Sequence, residues 1–306
     1  MDLLANILIS AMIAATPLVF AAIGELVVER AGVLNLGVEG MMVIGAISGF
    51  AAMLATGSAP LGLLAAMLGG AAMAFLFGVL TLTFRANQVA SGLALTMFGL
   101  GLSALWGQGY SGRSAPPFPR LYIPGLTELP FVGKLLFGQD ALVYLSLAVV
   151  GGVAYVLART RAGLILRAVG ENHDAAHAIG YPVSRVRYLA VMFGGAMAGL
   201  GGAYLSLVQT PLWVERMTAG RGWIALALVV FAAWRPWRSL LGAYLFGGIT
   251  ILQLHSQALG VKIDAQLLSM VPYLATILVL VVISRDSVRT KVSAPACLGK
   301  PFHAAL

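Results

Sequence analysis

Apolar residues run in long uncharged blocks along this chain, with short polar stretches between them. The blocks are Leu3–Ile23, Leu36–Ala55, Leu61–Phe84, Val89–Trp106, Ala141–Ala158, Tyr188–Val208, Gly222–Trp234, Ser239–Leu259 and Gln266–Ser284. A helix of roughly 20 apolar residues crosses a hydrocarbon layer about 30 Å thick. The pattern therefore predicts an all-α integral membrane protein, a polytopic bundle of about nine transmembrane helices. The seventh block has only 13 residues. Trp223, Trp234 and Trp237 bracket it as interfacial anchors do, which favours a full span. The alternative is a half-span that re-enters, which changes the helix parity.

One polar stretch interrupts the pattern early. Residues 24–42, GELVVERAGVLNLGVEGMM, carry Glu25, Glu29, Arg30 and Glu39 between uncharged runs. RAG and NLG within it predict a break near residues 24–40. Irregular backbone at membrane depth is tolerated only against protein or a water-filled cavity. Glu39 follows Asn35 by four residues, so on one helix the two share a face. An ionised carboxylate at mid-membrane costs roughly 2.5–3.5 kcal/mol on insertion scales. Glu39 is thus expected to be paired, protonated or facing water, either lining a path or gate or fastening one helix to another. Glu25, Glu29 and Arg30 read as a hydrated helix end. In RANQVASG, residues 85–92, Asn87 and Gln88 fall at a membrane edge, as path-lining groups or helix caps.

Composition agrees with a bilayer as solvent. Of 306 residues, 60% are hydrophobic and only 10% charged, against about a quarter charged in a soluble domain. The net charge of +8 follows the positive-inside rule and needs no nucleic acid. Nine spans with the N-terminus outside and the C-terminus inside place 13 of the 19 Lys and Arg residues in the cytoplasm. The organisation read here is one membrane domain, 1–286, and a polar, loosely ordered tail, 287–306. The domain includes an outer loop, 107–140, and a cytoplasmic loop, 159–187. The first block reads as a retained helix, since no basic region precedes it. Cys297 is the sole cysteine, which excludes an internal disulfide and a cysteine-cluster metal site.

The cytoplasmic loop carries the most specific local signal. In RAVGENHDAAHAIGYPVSRVR, residues 167–187, Asn172 is a helix N-cap, Asp174 lies in the first turn, Gly180 closes the helix and Pro182 prevents a restart. A two-turn helix over 173–179 is expected, with Ala175, Ala176 and Ile179 as a small apolar face. Held away from the bilayer among arginines, it reads as a plug for another protein's groove, in preference to a helix packed on its own chain. HDAAH, residues 173–177, resembles the HExxH zinc motif with Asp for Glu. The shorter Asp and the absence of an obvious third ligand argue against zinc. No Walker A pattern is present, so the chain has no ATPase site of its own.

These segments together resemble a known family. GELVVERAGVLNLGVEGMMVIGA, RAVGENHDAAHAIGYPVSRVRYLAVMFGGAMAGLGGAYLS and GRGWIALALVVFAAWRPWRSLLGAYLFGG are similar, in order, to the signatures of bacterial ABC importer permeases. The branch resembled holds nucleoside permeases and, more distantly, those for simple sugars and branched-chain amino acids. The resemblance implies a multi-pass subunit of the bacterial inner membrane that is not itself an enzyme and binds no cofactor. Its partners are then a cytoplasmic ATP-binding subunit using ATP and Mg, a second permease of a different chain, and an extracytoplasmic substrate-binding protein. Gly170, Glu171, Asn172, Asp174, Ala175, Ala176, Ile179 and Gly180 would couple to the ATPase, while Asn35, Glu39, Asn87 and Gln88 are candidates for the path or its gate. Nucleosides are the first expectation for the solute, with riboflavin, sugars or branched-chain amino acids as alternatives. An ATP-independent secondary transporter or channel, and an intramembrane metalloprotease built on HDAAH, are the rival classes.

Overall fold

In the computed structural model, the described residues are 2–119, 121, 122, 124, 125, 127, 132–258, single positions between 267 and 281, and 294–303. Among them every regular element is helical. Helix α1 covers Asp2–Arg30, α2 Val38–Thr56, α3 Ala59–Gly78, α4 Gln88–Gly107, α5 Val132–Phe137, α6 Ala141–Arg159, α7 Arg161–Glu171, α8 His173–Ala178, α9 Val183–Ala203, α10 Arg221–Phe231 and α11 Pro236–Ala258. Single π-helical stretches, Val79–Thr83 and Tyr204–Gln209, prolong α3 and α9. Six helices among the described residues are long and apolar enough to cross a membrane, namely α1, α2, α3, α4, α6 and α9 with these extensions. The ninth expected span, 266–284, lies largely outside the described residues.

Helix α9 runs through the centre, packed against α1, α2 and α3, while α11 lies along α1 and α4 along α2. Small residues make this possible. A Cβ on Gly45 would overlap the Gly199 backbone, and one on Gly199 would overlap the Ala66 carbonyl. In lipid, where helix association relies on close backbone approach, neither position has room for a side chain. Gly199→Val is expected to lower stability by roughly 1–3 kcal/mol or more, read as a drop in melting temperature of the purified protein. An unchanged melting temperature contradicts this packing. On the periphery, α3 and α4 present Leu64, Leu68, Phe75, Met97, Phe98 and Leu105 outward, which suits lipid or a second membrane subunit.

Three parts depart from the pattern read along the chain. Helix α1 continues seven residues past Ile23, through Glu25 and Glu29, and the break falls at 31–37. The seventh block forms a helix of only 11 residues, about 16 Å long at 1.5 Å per residue. It is nevertheless part of a passage between the two ends of the bundle. Pro211 accepts hydrogen bonds from Ala115 N–H and Ser114 Oγ at one end, and Trp234 meets Glu29 and Arg30 at the other. The chain covers the first part of this distance as irregular backbone, 212–220, and the second as α10. Left-handed residues mark both ends of α10, Ala219 (φ 47°) and Gly220 (φ 82°) before it, Ala233 (φ 48°) and Trp234 (φ 54°) after it. Such conformations cost about 1–3 kcal/mol each in a non-glycine residue and persist only where surroundings enforce them.

The third departure is the tail. A loose polar segment is expected there, yet residues 294–303 are seated on the Arg30 end of the bundle. Cys297 N–H donates to Gly170 C=O (2.9 Å) and Gly299 N–H to Gly32 C=O (3.2 Å). Backbone pairing, which side-chain polarity does not disclose, holds this segment.

Candidate functional site

The break between α1 and α2 frees backbone groups deep inside the protein, where each requires a partner. Partners come from α1, α4 and α9 and from within the break itself. Leu34 N–H donates to Gln88 Oε1 (2.8 Å), Asn35 N–H to Glu25 Oε1 (3.2 Å) and Gly37 N–H to Asn35 Oδ1 (2.9 Å). Leu36 C=O accepts from Thr96 Oγ1 (3.1 Å), and Ala31 C=O from Arg187 Nε (3.1 Å). Gln88 and Asn35 are therefore turned into the backbone of the break. Asn87 is exposed and caps α4, its Oδ1 accepting from Ala90 N–H at 3.0 Å.

Glu25 and Glu29 are not a hydrated helix end: each is 1% exposed. Trp234 Nε1–H donates to Glu29 Oε2 (2.5 Å), and Arg30 reaches past both to donate to Trp234 C=O through Nη2 (3.0 Å). The left-handed turn after α10 aims Trp234 at this pair. The sequence places Trp234 at an interface but offers no sign that a carboxylate 205 residues away is its acceptor.

Glu39 is likewise buried, in the first turn of α2. It does not share a helix face with Asn35 as expected, because the helix starts only at Val38. Instead it closes the N-terminus of α10. Oε1 accepts from Thr218 Oγ1 (2.5 Å) and Gly220 N–H (2.9 Å), and Oε2 accepts from Gly222 N–H (2.6 Å). The first N–H groups of a helix have no partner within it, and the positive end of the helix dipole favours an anion. One carboxylate thus meets both needs at an irregular turn inside the bundle. Gly222 is required there, since an added Cβ would lie 2.5 Å from Glu39 N.

Beside this turn a cavity of about 330 Å³ opens between α1, α10 and α11. Gln209, Arg221, Thr250 and Gln253 contribute its polar lining, with Leu18, Ile224 and Phe246 among the apolar part. Discontinuous helices and polar groups at a half-helix end are the means by which membrane transporters build solute sites.

At the Arg30 end, α8 is capped as its sequence dictates. Asn172 Oδ1 accepts from Ala175 N–H (2.9 Å), and Gly180, at φ 92°, donates to His177 C=O (2.8 Å). Its expected apolar face is split. Ala176 is 2% exposed and packs inward on Val169 and Val183, while Ala175 and Ile179 face outward, Ile179 at 71% exposure. Asp174 is exposed as well, whereas Gly170 is buried where a Cβ would strike the Arg30 carbonyl. The exposed residues of α8 and its C-cap are therefore Asp174, Ala175, His177, Ala178 and Ile179.

His173, the first residue of α8, is buried, its Nδ1 3.0 Å from Arg187 Nη2. Arginine only donates, so Nδ1 accepts and the ring is neutral, protonated on Nε2. Burial first, and then the Arg187 guanidinium, lower the His173 pKa, with Lys300 and His303 adding to them and Asp174 opposing. A lowered histidine pKa means that the folded state favours the neutral ring. The resulting stability is complete above about pH 6.5 and is lost as pH falls from there through the folded value. His173→Gln keeps an acceptor and does not titrate. Thermal unfolding across pH is expected to show wild type losing ground against His173→Gln below about pH 6.5. Parallel pH profiles contradict the assignment.

A family model described as branched-chain amino acid transport system / permease component matches residues 7–283. The chain belongs to this permease family. A putative glucose ABC transporter permease of Haloferax volcanii is 45% identical to it, covering 99% of each chain. The guanosine ABC transporter permease of Bacillus subtilis is 33% identical, over 91% of this chain and 92% of its own. The nucleoside ABC transporter permease of Lactococcus lactis is 34% identical, over 88% and 89%. This permease is thus an ABC transporter subunit and not an enzyme. The family has no cofactor, ATP and Mg belong to the ATPase partner, and an ATPase and a binding protein complete such importers.

Proposed function

We propose that this permease forms one half of the translocation path of an ATP-driven nucleoside importer in the inner membrane. It has its N-terminus outside, and the Arg30 end of its bundle faces the cytoplasm. Its partner in the membrane is a second, different permease, and α8 docks the ATPase. The observation that carries this reading is α8, a capped short helix displaying Ala175 and Ile179 outward beside the break. A stand-alone transporter has no use for such a plug. The basic residues Arg159, Arg161, Arg167, Arg185, Arg235 and Arg238 belong to the same end, as the positive-inside rule requires.

Nucleosides are favoured by the guanosine and nucleoside permeases among the relatives. Glucose is the second reading, favoured by the 45% identical archaeal relative. Uptake of labelled guanosine and labelled glucose by cells expressing the complete importer separates them. Guanosine accumulation that excess unlabelled glucose does not suppress is expected. Accumulation of glucose alone overturns the nucleoside assignment.

A further inference from the structure

Residues 294–303 join two elements, α8 and the α1–α2 break, that do not otherwise share a strong contact. Arg187, 1% exposed, stands at the start of α9 with its guanidinium divided three ways. Nε donates to Ala31 C=O in the break (3.1 Å), Nη1 to Lys300 C=O in the tail (3.1 Å), and Nη2 to His173 Nδ1 in α8 (3.0 Å). The tail itself reaches both the break and α8. Gly299 N–H donates to Gly32 C=O in the break. Cys297 Sγ donates to Glu171 C=O (3.4 Å), next to the α8 cap. Phe302 sets its ring edge-on between His173 and His177, 5.3 Å from each ring centre, and packs on the Val169, Ala176 and Val183 cluster under α8.

We propose that residues 294–303 are a strap that ties α8 to the α1–α2 break, with Arg187 and Phe302 as its positioning residues. A displacement of α8 then reaches the break directly, and from there Gln88 and Glu25, which hold its backbone. This rests on the reading of α8 as the site of ATPase docking. The physical need is clear from α8 itself. Six residues joined by short turns form a helix too brief to be rigid or stable alone, so a push on Ile179 is absorbed unless the underside is fixed. The strap fixes it through two aromatic contacts and a buried cation.

The test uses the complete transporter in lipid, with wild type, Phe302→Ala and a chain ending at residue 293. Three quantities are read, namely ATPase retained on purification, solute moved per ATP hydrolysed, and the rate at which a maleimide modifies Cys297 of this chain, followed by intact mass. Cys297 is the sole cysteine in the chain and is 8% exposed, so its rate in wild type and Phe302→Ala reports whether the strap is seated. Loss of two edge-on ring contacts is expected to raise that rate about tenfold. Both variants are expected to keep the ATPase and to hydrolyse ATP, while transport per ATP falls about tenfold. Transport per ATP at the wild-type level in either variant overturns the strap, as does a Cys297 rate unchanged by Phe302→Ala. Loss of the ATPase from both variants also overturns it and makes the tail a docking surface instead. The underlying reading of α8 fails separately, if Ile179→Glu leaves ATPase binding intact.

Discussion

Uptake collapses, and the protein is destabilised, when Glu39 is replaced by Ala. The side chain takes three donors at the head of α10, from Thr218, Gly220 and Gly222. Thr218 and Gly222 are buried and Gly220 is partly buried, so bulk water does not freely replace a lost acceptor. A stranded buried donor costs about 1–3 kcal/mol, so losing the carboxylate from all three costs roughly 3 kcal/mol or more. Glu39→Gln keeps one acceptor oxygen and loses the charge that suits the helix N-terminus. Its melting temperature and uptake are expected to fall between those of wild type and Glu39→Ala. Thermal unfolding of the three purified proteins, with uptake at matched membrane expression, is the check. Wild-type stability and uptake in Glu39→Ala contradict the clamp.

Ile179→Glu is expected to release the ATPase while leaving the permease folded. Ile179 is 71% exposed, so the carboxylate is harmless in the isolated chain. In a partner's groove it becomes a buried unpaired charge, which costs several kcal/mol and a loss of binding of at least about a hundredfold. Ala176→Glu has a different consequence, because Ala176 is 2% exposed against Val169 and Val183. That variant loses stability in the permease itself, before any partner is present. Co-purification of the ATPase, set beside the melting temperature of each permease variant, separates the two effects. Full retention of the ATPase by Ile179→Glu contradicts docking on this face.

The sequence discloses what one segment decides for itself. Apolar blocks map onto α1, α2, α3, α4, α6, α9 and α11 because a helix in lipid satisfies its own backbone. RAG and NLG announce the break for the same local reason. Asn172, Gly180 and Pro182 set the limits of α8 without reference to the rest of the fold. What depends on distant partners is not legible. Glu39 reads equally as path or fastener until Gly220 and Gly222 are placed against it, and Glu29 reads as hydrated until Trp234 covers it. Ala176 and Ile179 look alike on a helical wheel, and only the packing of α7 and α9 turns one in and leaves the other out. A block of 13 residues is ambiguous by length, because its chain completes the passage with irregular backbone whose N-terminal cap comes from another helix. The tail is the largest omission, since its hold rests on backbone carbonyls and on a buried arginine 113 residues earlier.

ATP dependence tests the central claim most directly. The complex that co-purifies with this chain, placed in sealed vesicles with its binding protein and labelled guanosine on the receiving side, is given ATP and Mg on the side of α8. Accumulation against a gradient with ATP, and none with a non-hydrolysable analogue, is the result expected of an importer permease driven through α8. Equal accumulation with the analogue, or without nucleotide, contradicts it.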